Sequence, residues 1–314
     1  MKPTLVVGDL IIDAYHYGRL GGTAPDFPTI LAHQHSTKLS YGGAGLVVSN
    51  ILAQEHPVIF ISLIGSGAYA DYAHAYTHEK LTKLFLDDST RPTTVKERFW
   101  VDGHKLLEWH HFESTPLSAV KERELLAHIK KQLPNAGKVV VADYRHGLLS
   151  ERTAGTIVKL CKEARVPLYV DSQVVHAQAN QRWYKGATLF LLNTKEAAAV
   201  DPLFDQKKIR QSLARLQKLL GTRNVIVKLA ADGSASLFGD TFIKTKAPPV
   251  PAVDPVGAGD AFLAALVLGD APPTRKDLER ANIWAALSTT KIGTETPSLA
   301  EFEKHLNKRR SIDG

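Results

Sequence analysis

The sequence predicts an α/β fold in which a doubly wound, mostly parallel sheet is covered by helices on both faces. Short apolar runs rich in β-branched residues alternate along the chain with longer segments of helical periodicity. These short runs are almost continuously apolar, which is typical of parallel strands buried on both faces. The 314 residues are 44% hydrophobic and 23% charged, so fibrous and wholly disordered chains are excluded. The single cysteine, Cys161, excludes an internal disulfide framework and a cysteine-based zinc cluster.

The predicted elements follow this alternation. Buried strands are predicted over residues 4–8, 58–64, 138–142, 167–171, 188–192 and 224–228. Helices are predicted over residues 46–53, 70–86, 118–133, 150–164 and 205–220. Three further helices, over residues 257–268, 275–291 and 299–308, would cover one end of the sheet.

Two segments interrupt the alternation. Residues 97–112 are two strand-like runs joined by Asp102-Gly103, a strong signal for a two-residue hairpin turn. Residues from about 14 to 40 lack helical periodicity and are rich in glycine, proline, tyrosine and histidine. We expect a small β lid built from about 14–40 and 94–113. No internal repeat or low-complexity linker is found, so residues 1–314 are expected to form one domain that carries this lid.

The net charge of +7 suits an anionic ligand, whether a nucleotide, a sugar phosphate or a nucleic acid. The basic residues are scattered and form no stripe interleaved with aromatic residues, which favours a solvated surface over a nucleic-acid site. Asp9 interrupts the N-terminal apolar run, no cleavage site follows it, and no later run is long enough to span a bilayer. We therefore expect a cytoplasmic protein with neither a nucleic acid nor a membrane as partner.

The most informative motif is Asp254-Pro-Val-Gly-Ala-Gly-Asp260, which leads into an apolar helical run. Because Gly257, Ala258 and Gly259 are small, backbone N–H groups at the helix start can approach an anion closely. The carboxylate of Asp260 would lie in the first turn beside that anion. Phosphoryl transfer needs such donors and a base for the attacking hydroxyl. The same residues also suit a tight turn with aspartate at a helix start, so the motif alone leaves both interpretations open.

Further candidates stand where predicted strands end, which is where open α/β sheets bind ligands. Two carboxylates follow the first strand, a glycine pair precedes a helix, and an Asn and a Glu follow a later strand. The carboxylate at position 9 equally suits a turn, and the Asn and Glu equally suit a helix cap or the organisation of metal-bound water. The candidates are Asp9, Asp13, Gly42, Gly43, Asn193 and Glu196.

In order and spacing these motifs resemble those of the ribokinase-like (PfkB) carbohydrate kinases over essentially the whole chain. The motifs are Gly42-Gly43-Ala44, Asn193-Thr-Lys-Glu196, Asp254-Pro-Val-Gly-Ala-Gly-Asp260 and Lys291-Ile-Gly-Thr294. Within that family the chain looks most like the kinase domain of the ADP-heptose synthesis proteins, which phosphorylates the anomeric hydroxyl of a heptose 7-phosphate. Residues 7–15, 142–147, 184–188 and 291–296 carry this likeness. We expect the kinase alone, without the nucleotidylyltransferase domain of bifunctional members.

The resemblance implies a three-layer α/β/α fold with a β lid, and an ATP-dependent, Mg²⁺-requiring sugar kinase. It implies that Asp260 is the catalytic base and that Gly257, Ala258 and Gly259 form the anion hole. It implies that sugar hydroxyls are bound by Asp9, Asp13, Gly42 and Gly43. It implies that Asn193 and Glu196 organise phosphates and Mg²⁺, with Glu196 acting through water, and that Lys228 and Gly233 bind the nucleotide. Asp254 and Gly293 would lie near a monovalent cation such as K⁺. Lys228 equally suits a lysine that merely ends a strand.

Three departures from the family pattern concern the acceptor and not the reaction. Leu46 stands where many relatives have an asparagine, and Asp171-Ser-Gln173 replaces the Asp-Pro-Lys of heptose kinases. Their Ser-Pro-Glu lid element has no clear counterpart in residues 23–26. Another acceptor, such as a ketohexose, a keto-deoxy sugar acid or a nucleoside, therefore stays an alternative, as does a non-catalytic sugar or nucleotide binder.

Aromatic residues in the expected lid suggest a partner for it. Phe99, Trp100, Trp109 and Phe112 lie within or beside the hairpin segment. An exposed sheet of this kind can pair with a second copy, so we expect a homodimer formed through the lid.

Overall fold

The computed structural model describes residues 1–175 and 178–313, with side chains up to residue 307. Its strands in chain order are β1 (Thr4–Gly8), β2 (Leu10–Thr23), β3 (Ile30–Gly43), β4 (Val58–Ser66), β5 (Leu81–Pro92), β6 (Val95–Val101), β7 (His104–His111), β8 (Lys138–Asp143), β9 (Leu168–Ser172), β10 (Leu189–Asn193), β11 (Asn224–Lys228), β12 (Ser234–Phe238) and β13 (Thr241–Thr245). Its helices are α1 (Ala44–Leu52), α2 (Ala70–His74), α3 (Ala119–Gln132), α4 (Glu151–Ala164), α5 (Thr194–Val200), α6 (Ile209–Leu220), α7 (Ala258–Val267), α8 (Arg275–Ser288) and α9 (Leu299–Asp313).

Within the described residues the main sheet has nine strands in the order β13-β12-β11-β10-β9-β8-β1-β4-β5. All neighbours from β5 through β11 pair in parallel, and β12 and β13 are added antiparallel at one edge. From β1 the chain first builds the sheet towards β4 and β5, then returns to β1's other side at β8 and builds outward. The junction of β1 and β8 is therefore the topological switch point, where open α/β sheets bind ligands.

Alternate residues of the strands feed two separate apolar layers. Val6 and Val140 pack with α1, α7 and α8 on one face of the sheet. Leu5 and Val139, one position earlier on the same strands, pack with α3, α4 and α6 on the other. Because each strand is buried on both faces, its sequence is almost continuously apolar. The predicted three-layer α/β fold is confirmed.

The two segments expected to form the lid pair with each other in a second sheet, of order β3-β2-β6-β7. Its hairpin turns at Asp102 and Gly103, whose φ angles of 47° and 81° are both positive, as a type I′ turn requires. Leu10 pairs with Gly43 at the end of this small sheet that adjoins β1. The small sheet thus grows out of the carboxyl end of the main sheet.

One predicted element is wrong. Residues 70–86 were expected to form a helix, but only Ala70–His74 is helical and Leu81–Pro92 forms β5 at the sheet edge. The spacing of Leu81, Leu84 and Phe85 fits one helical face, yet these residues pair in register with β4 instead. Parallel pairing with a buried neighbour outweighs the local pattern in this segment. The edge strands β12 and β13 were not predicted either.

None of the helices in the described part of the chain combines the length and apolar character that crossing a membrane requires.

Candidate functional site

Gly257 immediately precedes the helix α7 and lies directly beside α1. Gly257 is the N-cap residue with a φ of 80°, a conformation that favours glycine. A Cβ atom added there would stand 2.4 Å from Cδ2 of Leu46, which is only 2% exposed. Both the backbone conformation and the packing therefore require glycine at this position.

Two amides at this helix start are free to bind an anion. The Ala258 amide donates to the Pro255 carbonyl at 3.2 Å, so this predicted member of the anion hole is already engaged. The amides of Gly259 and Asp260 have no acceptor among the described residues. At a helix N-terminus such amides attract negative charge, and the helix dipole reinforces the attraction.

The carboxylate of Asp260 lies in this first turn, in contact with the end of β8. Its Oδ1 accepts a hydrogen bond from the hydroxyl of Tyr144. Burial raises the pKa of Asp260 to about 7, and the charge of Asp171 adds to the rise, while the Tyr144 hydrogen bond and Lys228 oppose it. A carboxylate with a pKa near neutrality is suited to accept a proton from a reacting hydroxyl.

Asp9 holds the turn that carries Tyr144. It directly follows β1, is 5% exposed, and its Oδ2 accepts the amides of Tyr144 at 2.8 Å and His146 at 3.4 Å. Burial raises the pKa of Asp9, and the nearby charge of Asp143 adds to this. The carboxylate thus spans the switch point between β1 and β8. Its predicted contact with sugar hydroxyls stays a prediction.

Asp13, Gly42 and Gly43 lie together at the base of the small sheet. Asp13 is 3% exposed, and its Oδ1 accepts from Nη1 of Arg98 at 2.5 Å. A Cβ atom at Gly42 would stand 2.1 Å from Oδ2 of Asp13, so the carboxylate lies directly against the glycine backbone. Gly43 has a φ of 57° and starts α1. A Cβ atom at Gly43 would also stand 2.6 Å from the carbonyl oxygen of Asp9, so all four predicted sugar-binding residues are neighbours in space.

Carboxylates surround Lys228 at the carboxyl ends of β9, β10 and β11. Its ammonium donates to Oδ2 of Asp171 at 2.5 Å, and a Cβ atom at Gly259 would stand 3.3 Å from Nζ. The charges of Glu196 and Asp260 also act on Lys228. Lys228 therefore reaches from the strand end to the start of α7, which brings the predicted nucleotide side of the site next to Asp260.

Asn193 and Glu196 form a reciprocal capping box at the start of α5. The Glu196 amide donates to Oδ1 of Asn193 at 2.9 Å, and the Asn193 amide donates to Oε2 of Glu196 at 2.7 Å. Burial and the charge of Asp171 raise the pKa of Glu196. The helix-cap interpretation of these residues is thus realised, and their role toward phosphates and metal stays a prediction.

Asp254 and Gly293 lie in two adjoining loops. Oδ2 of Asp254 accepts the Gly293 amide at 3.0 Å, and its Oδ1 accepts the Val256 amide at 3.0 Å. Gly293 has a φ of 79°, and a Cβ atom there would stand 3.1 Å from the hydroxyl oxygen of Tyr15. The two residues predicted near a monovalent cation are therefore directly hydrogen-bonded to each other.

Gly233 has a structural explanation of its own. It lies in the turn between β11 and β12 with a φ of 88°, and a Cβ atom there would stand 2.2 Å from the Thr245 carbonyl oxygen. The turn therefore requires glycine whatever it binds, and a contact with nucleotide stays a prediction.

The profile of the pfkB family carbohydrate kinases matches residues 1–301. The chain belongs to the pfkB family of carbohydrate kinases. This confirms the family expected from the glycine-rich helix starts, and with it a carbohydrate kinase as the class of enzyme.

This kinase is similar to part of a longer protein. It is 30% identical over 312 residues to the bifunctional protein HldE of a Nitratiruptor species, and the match covers 97% of this chain and 65% of that protein. The chain thus spans about 65% of the length of that relative.

Solved structures share its fold. Arabidopsis thaliana ribokinase complexed with ribose and ATP superposes with a TM-score of 0.73 at 21% identity, covering 96% of this chain and 98% of that one. Escherichia coli phosphofructokinase-2 in complex with potassium superposes with a TM-score of 0.78 at 16% identity, and the match covers 97% of this chain and 98% of that one.

The donor set of this pfkB kinase fits a divalent cation that arrives with phosphates. No group of three or more metal-ligating side chains is assembled within residues 1–175 and 178–307. Mg²⁺ in such sites usually binds one or two protein carboxylates and completes its shell with phosphate oxygens and water. Here Asp171, Glu196 and Asp260 face the single ammonium of Lys228, so negative charge is in excess before any cation binds.

Sequence reasoning missed three residues of the site. Tyr144 directly follows β8 and Asp171 lies at the end of β9, so the strand-end rule that found Asn193 could have found both. Arg98 was missed for a different reason, because its partner Asp13 is 85 residues away on another strand of the small sheet.

Proposed function

We propose that this carbohydrate kinase transfers the γ-phosphate of ATP to a hydroxyl of a heptose 7-phosphate-like sugar phosphate. The observation that carries the proposal is the half-buried Asp260 carboxylate, with its raised pKa, beside the amides of Gly259 and Asp260, which have no acceptor among the described residues. This arrangement offers a base and a set of oriented donors at one point, as phosphoryl transfer requires. The similarity to HldE supports the choice of acceptor.

In this mechanism Asp260 removes the proton from the attacking hydroxyl. The amides of Gly259 and Asp260 stabilise the charge of the transferring group, with help from the helix dipole. The ammonium of Lys228, which lies close to Gly259, adds a positive charge on the nucleotide side. The hydrogen bond from Tyr144 holds one oxygen of Asp260 in place.

The remaining residues orient the substrates. Asp13, Gly42 and Gly43 hold the acceptor's hydroxyls, with Asp9 fixing the neighbouring turn. Glu196, through water, and Asn193 would hold Mg²⁺, which would supply positive charge to the phosphate oxygens. A monovalent cation such as K⁺ would be held by the loops of Asp254 and Gly293, close to the anion hole.

Leu46 favours a second candidate acceptor. Its side chain packs beneath Gly257 and provides no polar group where many relatives have an asparagine. A sugar with one hydroxyl fewer at that point, such as a keto-deoxy sugar acid, would leave no unmatched polar group there.

We further propose that the small sheet closes over the acceptor as a lid and joins two copies of the chain. Leu107 and Trp109, on the side of β7 opposite Glu108, are 49% and 56% exposed and share that side with Phe99. The variant Trp109→Glu, which replaces an exposed aromatic ring by a charge, should shift the sedimentation coefficient from dimer to monomer. A wild-type protein that sediments as a monomer at micromolar concentration would contradict the dimer.

A panel of acceptors tests the kinase proposal. Purified protein is incubated with ATP, Mg²⁺ and one of several sugars, sugar phosphates, keto-deoxy sugar acids or nucleosides, and ADP formation is measured. We expect the highest kcat/KM with a heptose 7-phosphate, and transfer by Asp260→Asn that is slower by about 100-fold or more. Activity confined to unphosphorylated acceptors would refute the heptose phosphate assignment, and absence of transfer to every acceptor would refute the kinase proposal.

A further inference from the structure

One side of the small sheet faces the acceptor side of the site. The strand register places Lys96 of β6 beside Asp13 of β2 and beside His110 of β7. Residues in register on neighbouring strands project from the same side of a sheet. Arg98, two residues after Lys96, contacts both Asp13 and Glu108, which identifies this side as the one that carries the acceptor-binding carboxylate.

Lys96 is a cation of this region that has no anionic partner within the described residues. Arg98, Arg145 and Lys228 each form an ion pair with a carboxylate, at 2.5, 2.8 and 2.5 Å. Within the described residues Lys96 forms no ion pair and no side-chain hydrogen bond, although it is half-buried. A cation held in this way, without an anionic partner, is available to an anionic ligand.

His146 contributes a second group without a partner. Its Nδ1 is buried and has no hydrogen-bond partner among the described residues, and its ring packs on Phe112 with centroids 4.7 Å apart. Burial, together with the positive charges of Lys96 and His110, lowers the pKa of His146 to about 3. The ring is therefore neutral at pH 7 and lies within electrostatic reach of both groups. It is also two residues from Tyr144, whose hydroxyl contacts Asp260.

We propose that Lys96 and His146 form an anion subsite that binds the phosphate group of a sugar phosphate acceptor, flanked by His110, whose Nε2 contacts Oε1 of Glu108 at 3.0 Å. The inference rests on the proposed kinase function and assigns residues to one end of its substrate. Buried polar atoms in proteins almost always have a partner, and phosphate oxygens accept hydrogen bonds from both ammonium and imidazole groups. The neighbouring carboxylates do not cancel the subsite, because Asp13 is paired with Arg98 and Glu108 is paired with Lys105 as well as with Arg98.

The position of the subsite suits the binding of an acceptor's phosphate group. Lys96 adjoins Asp13, which is placed to hold sugar hydroxyls, and His146 adjoins the turn of Tyr144 and Asp260. An acceptor whose reacting hydroxyl meets Asp260 would then extend along Asp13, and its phosphate would lie at the end remote from the nucleotide. The subsite therefore discriminates phosphorylated from unphosphorylated acceptors and leaves ATP binding unaffected.

The kinetic test compares one heptose with and without its 7-phosphate. Lys96→Met should lower kcat/KM for the phosphorylated acceptor about 10- to 100-fold, as expected for a lost charged hydrogen bond. The kcat/KM for the unphosphorylated acceptor and the KM for ATP should each change less than about twofold. Lys83→Met removes the same charge from an exposed position of β5 and should change none of these values. Equal losses with both acceptors, or a loss confined to ATP, would overturn the subsite.

A binding test works without any activity. Inorganic phosphate is titrated into the full chain while the His146 imidazole resonance, identified by its absence in His146→Phe, is followed by NMR. A saturable shift that Lys96→Met abolishes supports the subsite, even if the acceptor panel finds no kinase activity. Absence of a saturable shift in the wild type, with an active kinase, would refute the subsite and leave the kinase proposal standing.

Discussion

The hydroxyl of Tyr144 donates a hydrogen bond to Oδ1 of Asp260, across 116 residues of chain. Burial and the charge of Asp260 raise the pKa of Tyr144 well above its ordinary value, so the phenol stays protonated and remains a donor. The contact fixes the carboxylate and leaves Oδ2 of Asp260 to meet an attacking hydroxyl. Tyr144 therefore positions the proposed catalytic base.

Replacing this phenol should slow turnover and shift its pH dependence. Without the hydrogen bond from Tyr144, the pKa of Asp260 should rise, because that bond favours the charged carboxylate. For Tyr144→Phe we expect kcat to fall about 10-fold at pH 7 and the acidic limb of kcat to move to higher pH. Tyr169→Phe, which removes a buried hydroxyl bonded to the Asp270 carbonyl, is the matched control. Parallel profiles for the two variants would mean that Tyr144 has no positioning role.

Removing the base itself should affect chemistry and spare nucleotide binding. Asp260→Asn keeps the size of the side chain but cannot accept the proton, so kcat should fall by about 100- to 10,000-fold. ATP affinity, measured by titration calorimetry, should change little because the amides of the helix start are retained. Near wild-type turnover on a confirmed acceptor would exclude Asp260 as the base.

The wild-type enzyme should gain activity as the pH rises through about 7. The pKa of Asp260 is raised to about 7 by burial and by Asp171, with Glu196 and Asp13 adding negative charge nearby and Lys228 opposing them. The carboxylate acts as a base only when deprotonated, so kcat/KM should be low at pH 5.5 and approach a plateau above pH 8. A flat profile across this range would show that no buried carboxylate limits the reaction.

The raised pKa of Asp260 has the opposite pH dependence for stability: activity should rise with pH, whereas the stability that Asp260 contributes falls. A carboxyl group whose pKa is higher folded than unfolded stabilises the fold below its unfolded pKa of 3.8 and loses that contribution as the pH rises to about 7. Asp260→Asn has no carboxyl group to ionise and should raise the free energy of unfolding at pH 8 by about 1 kcal/mol or more. At pH 5 the two proteins should unfold more nearly alike in denaturant titrations. A variant less stable than the wild type at pH 8 would contradict the pKa shift.

The contact between Gly257 and Leu46 predicts a conditional rescue. Gly257→Ala should destabilise the fold by about 1–3 kcal/mol, because the new methyl group meets Leu46 and the backbone has a positive φ. Adding Leu46→Ala removes the contact but not the backbone strain. The double variant should therefore be less destabilised than the sum of the two single variants, but still less stable than the wild type. Strict additivity in thermal unfolding would indicate that the two side chains do not meet.

Local pattern was enough to predict much of the fold. The apolar runs at residues 4–8 and 138–142 identified the central parallel strands, and the small residues before Asp260 identified the start of α7. Residues 70–86 could not be assigned in this way, because the edge strand there depends on pairing with β4. The same limit applies to the site. The strand ends indicated where Asn193 and Lys228 lie, but the contact of Tyr144 with Asp260 depends on tertiary packing.

The switch point between β1 and β8 also determines the order in which parts of the site can form. Thr4 of β1 pairs with Lys138 of β8, so the central strand lacks one neighbour until more than a hundred residues have been synthesised. Only then can Asp9 receive the amide of Tyr144, and only after α7 is made can Tyr144 meet Asp260. Pairings so distant in sequence form slowly. Phosphoryl transfer should therefore return later on refolding than the helical signal, because it requires β1, β8 and α7 to have come together.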